Sequence, residues 1–147
     1  MKIAIGSDHG GFHLKKAIIK YLFEKGHTIQ DFGTDSTKSV DYPDIAAPVA
    51  RSVASGVNEF GILICGTGIG MSITANKIKG VRAAVCTDYY STKYTRLHND
   101  SNILCIGERV LGYGVAMELV KTFLETEYEG GRHQARIDKI SALETEE

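Results

Sequence analysis

Residues 62 to 73, ILICGTGIGMSI, place a cysteine between a short apolar run and a turn that contains three glycines. The run at residues 60–64 predicts a buried strand, and residues 69–77 have the spacing of a helix. A strand that passes through a tight glycine turn into a helix is the unit from which parallel α/β folds are built. The segment therefore indicates the fold class, and it places Cys65 at the carboxyl end of a strand.

The same alternation of apolar runs and helical patterns extends along the chain. The predicted strands lie at residues 2–6, 28–32, 60–64, 81–86 and 103–106. The predicted helices lie at residues 12–25, from Pro43 or Pro48 to about 55, at 69–77, 89–97 and 115–127, and after Gly131. Nearly continuous apolar strands are typical of parallel sheets covered on both faces. We therefore predict one α/β domain, residues 1–147. It should be a Rossmann-like, three-layer α/β/α sandwich with a mainly parallel sheet of about five strands and a C-terminal helix.

Composition and charge argue against several classes of partner. Of the 147 residues, 43% are hydrophobic and 24% are charged, and the net charge is −1, which is poorly suited to nucleic-acid binding. No apolar run approaches the roughly 20 residues that cross a bilayer, and the N-terminus does not have the pattern of a signal peptide. The three cysteines lack the paired spacing of a zinc site, which favours reduced thiols. We expect a cytoplasmic protein with no membrane or nucleic-acid partner and no zinc site built from its cysteines.

Polar residues follow the predicted strands at the edge of the sheet where ligands bind in such folds. Asp8 and His9 follow the first strand, Tyr42 lies in the loop after the second, and Cys65 ends the third. Arg109 follows the fifth strand. Further polar residues at these ends are Asp41, Asp44, Thr87, Asp88 and Glu108. Acids, a possible base, a possible nucleophile and a cation are thus expected to converge on one rim.

The glycine turn after Cys65 is the strongest of these signals. Glycines let backbone N–H groups approach a ligand closely, and the following helix adds positive potential at its N-terminus. Such a turn can hold a phosphate or an oxyanion that exists only during reaction. The same environment favours the thiolate form of a nearby cysteine. The position therefore suits a cysteine that must lose its proton.

The turn and its cysteine each have another interpretation. A dinucleotide-binding turn has the pattern G-x-G-x-x-G in the first β-α unit, whereas here Gly66, Gly68 and Gly70 lie in the third unit. Asp88, about 20 residues further on, imitates the ribose-binding acid of that motif. The alternative role for a free cysteine is that of a small buried hydrophobic residue. We expect this role for Cys86 and Cys105, which lie inside apolar strands.

Two polar motifs lie nearer the C-terminus. In RLHNDSN, residues 96–102, His98 is either a general acid or base or part of a helix-end cap with Asn99 and Asp100. In RHQAR, residues 132–136, two arginines four residues apart could clamp a phosphate or form a solvated pair. His133 lies between them and receives no assignment. The narrow apolar stripe of this last helix would pack either on its own domain or on a neighbouring subunit.

Together, GSDHGG, VDYPD, CGTGIGMSI, RLHNDSN and GGRHQAR resemble, in order along the chain, the type B ribose-5-phosphate isomerases and related sugar-phosphate isomerases. The resemblance implies interconversion of ribose 5-phosphate and ribulose 5-phosphate with no metal or cofactor. Allose 6-phosphate or galactose 6-phosphate is the alternative substrate. Ser101 replaces an alanine expected in that pattern, and some relatives use a glutamate further along the loop instead of the cysteine.

The resemblance also implies roles for individual residues. Cys65 would be the base that moves a proton between C2 and C1, and Thr67 would assist at the oxygens. His98 would open the sugar ring, with Asp8 binding the sugar. The remaining implied substrate contacts are the glycine loop (Gly66, Gly68 and Gly70) for the enediolate, Tyr42 and Asn99 for the sugar, and His9, Arg109, Arg132 and Arg136 for the phosphate. The family places its active sites between subunits, so a homodimer, or a tetramer, is expected.

Overall fold

A computed structural model describes residues 1–146 and contains one five-stranded sheet in which every pairing is parallel. The strands are β1 (Lys2–Ser7), β2 (Thr28–Asp31), β3 (Phe60–Cys65), β4 (Ala83–Val85) and β5 (Ile103–Gly107). Their order across the sheet is β2-β1-β3-β5-β4. The central strands β1, β3 and β5 are therefore the ones whose carboxyl ends lie side by side.

In the described part of the chain, six α-helices connect and flank the strands. They are α1 (Phe12–Glu24), α2 (Tyr42–Ala54), α3 (Ile69–Ala75), α4 (Tyr89–Asn99), α5 (Tyr113–Glu125) and α6 (Arg132–Leu143). A short 3-10 turn at His9–Gly11 precedes α1. Pro43 lies in the first turn of α2, where its missing N–H costs no intrahelical bond, whereas Pro48 lies within the helix.

The sheet separates two hydrophobic clusters, which explains the continuous apolar strands. Along β1, Ile3 and Ile5 face the cluster that includes α1 and α5, whereas Ala4 faces the cluster that includes α2 and α3. Alternate residues of β3 divide in the same way, because successive side chains of a strand point to opposite faces. The predicted three-layer α/β/α fold is confirmed. Helix α4 packs against α5, and α6 packs against α4.

Several boundaries differ from the sequence prediction. The fourth strand, predicted at 81–86, is reduced to Ala83–Val85 because it lies at the sheet edge, where β5 is its one strand partner among residues 1–146. Helix α3 ends at Ala75 rather than residue 77, and α5 begins two residues earlier, at Tyr113. The predicted glycine break before the last helix is present, since Gly130 and Gly131 both have positive φ. Within residues 1–146, no helix combines the length and apolar character needed to cross a membrane.

Candidate active site

The site lies where the chain changes direction across the sheet. From β1 the chain crosses to β2 on one side and then returns to β3 on the other, so the ends of β1 and β3 flank a crevice. Asp8 follows β1 directly, and its backbone N–H donates to the carbonyl of Ile64 at 3.2 Å. Cys65 ends β3. The topology therefore brings a carboxylate and a thiol together across a separation of 57 residues in sequence.

The thiol of Cys65 faces the glycine turn. Its Sγ accepts a hydrogen bond from the N–H of Gly68 at 3.0 Å, and the residue is 6% exposed. Gly68 has φ +81°, a left-handed conformation that favours glycine, and a Cβ there would lie 3.0 Å from the backbone of Ile106. The glycine thus permits both the turn and the approach of its N–H group to sulfur.

Cys65 is one of the residues that line a cavity of about 450 Å³. The lining residues of this cavity are Asp8, Tyr42, Cys65, Gly66, Thr67, Ile69, Gly70, Ile73 and Arg109. The Arg109 side chain lies over Gly66, where a Cβ would approach Nη1 to 3.3 Å, and the Tyr42 ring lies over Gly70, where a Cβ would approach Cζ to 2.7 Å. Residues that carry a guanidinium, a phenol, a carboxylate and a thiol therefore line one space that is large enough for a small phosphorylated molecule.

The loops that form this cavity are fixed to one another by backbone hydrogen bonds. The N–H of Glu108 donates to the carbonyl of Cys65 at 2.9 Å, and the N–H of Arg109 donates to that of Gly66 at 3.1 Å. A Cβ at Gly107 would lie 2.6 Å from the Cα of Thr67, so the two loops are in close backbone contact. The end of β5 therefore holds the glycine turn in place and positions Arg109.

A second cavity, of about 490 Å³, shares Asp8 and Tyr42 with the first and also contains His9. Asp8 is 7% exposed, and its Oδ1 accepts the N–H of Gly10 at 2.8 Å. Nδ1 of His9 accepts the N–H of Val40 at 3.1 Å, so the neutral ring carries its proton on Nε2. Asp8 and Tyr42 therefore form the boundary between two adjoining spaces.

The other residues singled out from the sequence lie elsewhere. His98 and Asn99 line a separate hollow of about 370 Å³ that shares no lining residue with the Cys65 cavity. Arg132 and Arg136 are exposed on α6, which packs near His98. Within one chain, the candidate residues thus form two groups, one around Cys65 and one around His98.

The alternative role of His98 as a helix-end cap does not fit its surroundings. Asp100 is the residue that ends α4, with φ 45° and ψ 44°, and its carboxylate binds Arg96 at 2.9 Å. His98 instead faces Glu129 and stacks on His133, contacts that the sequence analysis missed. The available signal was the spacing of Glu129 and His133, four residues apart.

The remaining two cysteines are buried in the sheet region. Cys105 is fully buried, and burial raises the pKa of its thiol well above the ordinary value. Burial also raises the pKa of Cys86, which is 2% exposed. Both thiols should therefore remain protonated near neutral pH, whereas a thiol that acts as a base must lose its proton.

A thiol, a glycine turn and a cation at the switch point of a parallel α/β sheet are typical of enzymes that bind small anionic molecules. The particular family follows from comparison: the model of the ribose/galactose isomerase family matches residues 3–140, and the chain belongs to this family.

Individual relatives are similar over almost their whole length. Ribose-5-phosphate isomerase B of Escherichia coli is 50% identical over 143 residues, which cover 97% of this chain and 96% of that protein. A solved structure of ribose-5-phosphate isomerase B from Clostridium thermocellum superimposes with a TM-score of 0.97 at 53% identity, covering 98% and 97% of the two chains. A D-erythrulose-4-phosphate isomerase of Pectobacterium atrosepticum is 41% identical, covering 100% of this chain and 97% of its own.

Proposed function

We propose that this protein is an aldose-ketose isomerase that interconverts D-ribose 5-phosphate and D-ribulose 5-phosphate through a cis-enediolate. The observation that carries the proposal is the position of Cys65, which lines a cavity and whose sulfur accepts the N–H of Gly68. Family membership and the names of the similar proteins support a sugar phosphate as substrate. The free thiols fit a reducing compartment such as the cytoplasm.

Cys65 is the proposed base. Its thiolate removes the proton from C2 of the open aldose, the C–H electron pair forms the C1–C2 double bond, and the carbonyl pair moves to O1. Returning the proton to C1 gives the ketose, so no external oxidant or reductant is needed. The Thr67 hydroxyl, at the edge of the same cavity, is suited to move a proton between O1 and O2.

The glycine turn would stabilise the negative charge that develops on the oxygens. Its N–H groups are fixed in position, because the turn is held by backbone bonds from Glu108 and Arg109. A fixed donor that faces a developing oxyanion contributes about 3–4 kcal/mol of transition-state stabilisation. Arg109 lines the Cys65 cavity and His9 lines the adjoining one, and both are suited to hold the phosphate.

We further propose that a second copy of the chain completes the site. The Cys65 cavity is bordered by Ile69 and Ile73, which are 53% and 59% exposed and would be covered by a partner. The group formed by His98, Asn99, Arg132 and Arg136 would supply the ring-opening function that this cavity lacks and would add two arginines to the phosphate-binding residues. A homodimer in which this group from one subunit faces the Cys65 cavity of the other unites both groups, and such dimers could pair into a tetramer.

An isomerase of a six-carbon sugar phosphate is the alternative. Allose 6-phosphate and galactose 6-phosphate require the same proton transfer, and one similar protein is named for a four-carbon ketose phosphate. The number of carbon atoms in the substrate is therefore what distinguishes these candidates. It is set by the distance between the thiol and the phosphate-binding group. That distance depends on the dimer.

An activity panel tests the proposal. Purified protein should isomerise ribose 5-phosphate with a higher kcat/KM than allose 6-phosphate or galactose 6-phosphate, with and without a chelator. Cys65→Ala should abolish turnover but retain sugar-phosphate binding. Cys105→Ala, which removes a buried thiol of the same hydrophobic cluster, is the matched control and should remain active. Full turnover by the Cys65→Ala enzyme would exclude the thiol as the base.

A further inference from the structure

His98 is held between two aromatic rings from different parts of the chain. The ring of His133 stacks on it, with centroids 4.1 Å apart and planes inclined by 16°. The Tyr94 ring meets it edge-on from the preceding turn of α4, at 5.0 Å and 77°. The His98 side chain is 35% exposed, so without these neighbours its imidazole could adopt several orientations. The two rings restrict it to one plane.

Glu129 faces the edges of both imidazoles. Its Oε2 lies 3.6 Å from Nε2 of His98 and 3.7 Å from Nε2 of His133. The His133 side chain is 5% exposed, and among the described residues its Nε2 has no hydrogen-bond partner. A buried polar atom without a partner is costly, which indicates that it serves a purpose here. Glu129 is itself fixed to α4, since its backbone N–H donates to the carbonyl of Leu97 at 3.1 Å.

A histidine-carboxylate-histidine group could in principle bind a metal ion. The stacking argues against it, because the lone pairs of two nearly parallel imidazoles run side by side and do not converge on one point. A proton held between Glu129 and one imidazole needs no such convergence. The arrangement therefore suits the control of a proton and a ring orientation.

The surroundings of His133 disfavour a proton on its ring. Burial is the main cause that lowers the pKa of His133, and positive charge on His98, Arg132 and Arg136 lowers it further, while Glu129 opposes the shift. The lowered pKa favours the neutral form of the His133 ring, on which His98 stacks. Glu129 remains available to the more exposed imidazole.

We propose that His133 and Glu129 are positioning residues that fix the ring plane and the proton of His98 for opening of the sugar ring. This inference rests on the proposed function. Ring opening breaks the bond between C1 and the ring oxygen, which takes the electron pair and a proton, while O1 loses its proton and C1=O1 forms. One imidazole must reach both oxygens, so its orientation matters. Helix α6 also carries Arg132 and Arg136, so phosphate bound there would hold the helix that carries His133.

Two substrates separate this role from general damage. Ribose 5-phosphate must open its furanose ring, whereas D-erythrose 4-phosphate, whose O4 carries the phosphate, cannot close one. His133→Asn and Glu129→Gln should each lower kcat on ribose 5-phosphate about tenfold and leave turnover of erythrose 4-phosphate within about twofold. The matched controls His13→Asn and Glu127→Gln, at exposed positions outside the cluster, should leave both activities unchanged.

The double variant His98→Asn/His133→Asn should be no less active than His98→Asn alone, because His133 acts through His98. Equal losses on both substrates, or additive losses in the double variant, would overturn the proposal. Glu129 is exposed, so Glu129→Gln should fold even if the buried His133 substitution does not.

A measurement without substrate distinguishes failure of this inference from failure of the proposed function. The ¹⁵N resonances of the His98 ring should change in Glu129→Gln and His133→Asn and stay constant in the two controls. If they are unchanged in both cluster variants, the inference is wrong whatever sugar the enzyme uses. If the wild-type protein does not convert ribose 5-phosphate, the proposed function is wrong. The resonances of His98 then test the role of the cluster independently.

Discussion

Replacement of Gly68 by alanine tests the glycine turn on which the proposed chemistry depends. Gly68 has φ +81°, and alanine in the left-handed region costs about 1–2 kcal/mol of folding free energy. A Cβ would also lie 3.0 Å from the backbone carbon and nitrogen of Ile106 and 3.1 Å from the carbonyl carbon of Cys105. Because these neighbours are backbone atoms of a central strand, they cannot move aside as a flexible side chain would. Overpacking of this kind costs about 1–3 kcal/mol.

A matched control isolates the contribution of overpacking. Gly26 has φ +85° and, at the end of α1, no heavy atom within 4 Å of the position of a Cβ. Gly26→Ala should therefore incur only the backbone cost, and the entropy that alanine removes from the unfolded chain is common to both variants. The difference between the two variants in the free energy of unfolding should be about 1–3 kcal/mol, with Gly68→Ala the less stable.

Urea unfolding followed by far-UV circular dichroism measures this difference in stability. Isomerase activity, assayed below the unfolding transition, measures the effect on catalysis. Gly68→Ala should also lose turnover, because displacement of the turn moves the N–H group that donates to Cys65 Sγ. Gly26→Ala should retain it. If Gly68→Ala is no less stable than Gly26→Ala and equally active, the close packing of the turn against β5 does not constrain the site.

The remaining predictions concern other parts of the molecule. Arg136→Ala should raise KM about tenfold with little change in kcat, since a charge-assisted hydrogen bond contributes about 1.5–3 kcal/mol; an unchanged KM would remove Arg136 from the phosphate site. Because the pKa of His133 is lowered in the folded protein, the unfolded chain binds its proton first as the pH falls through the ordinary value of 6.5, and acid favours unfolding. Thermal unfolding should accordingly show a smaller acid-induced fall in Tm for His133→Asn than for the wild type, and parallel curves would contradict this. Lys15→Met should lower the free energy of unfolding by about 1–3 kcal/mol, because the buried Lys15 donates to Asp31 at 2.7 Å. Urea unfolding measures this loss, and the control Lys16→Met, at an exposed position, should show little loss of stability.

The resemblance of five motifs to a known family, combined with local patterns, anticipated much of the candidate site. The place of Cys65 at a strand end followed from residues 60–70 alone, because strand, glycine turn and helix are adjacent in sequence. Asp8, Tyr42 and Arg109 were expected on the same rim, and the structure places all three at one cavity with the thiol. The association of Glu129 and His133 with His98 was not anticipated, since it depends on how α6 and its preceding segment pack on α4.

The sequence by itself determined the alternation of strands and helices, since apolar periodicity and glycine breaks act over a few residues and specify local structure directly. It also determined which polar residues follow each strand. Only the tertiary structure decided that β4 lies at the sheet edge and that β1 and β3 adjoin, and hence that Asp8 and Cys65 share a cavity while His98 lies in a different one. The physical reason is that these arrangements depend on packing between residues far apart in the chain, whose free energy is a property of the whole sheet and its two hydrophobic layers.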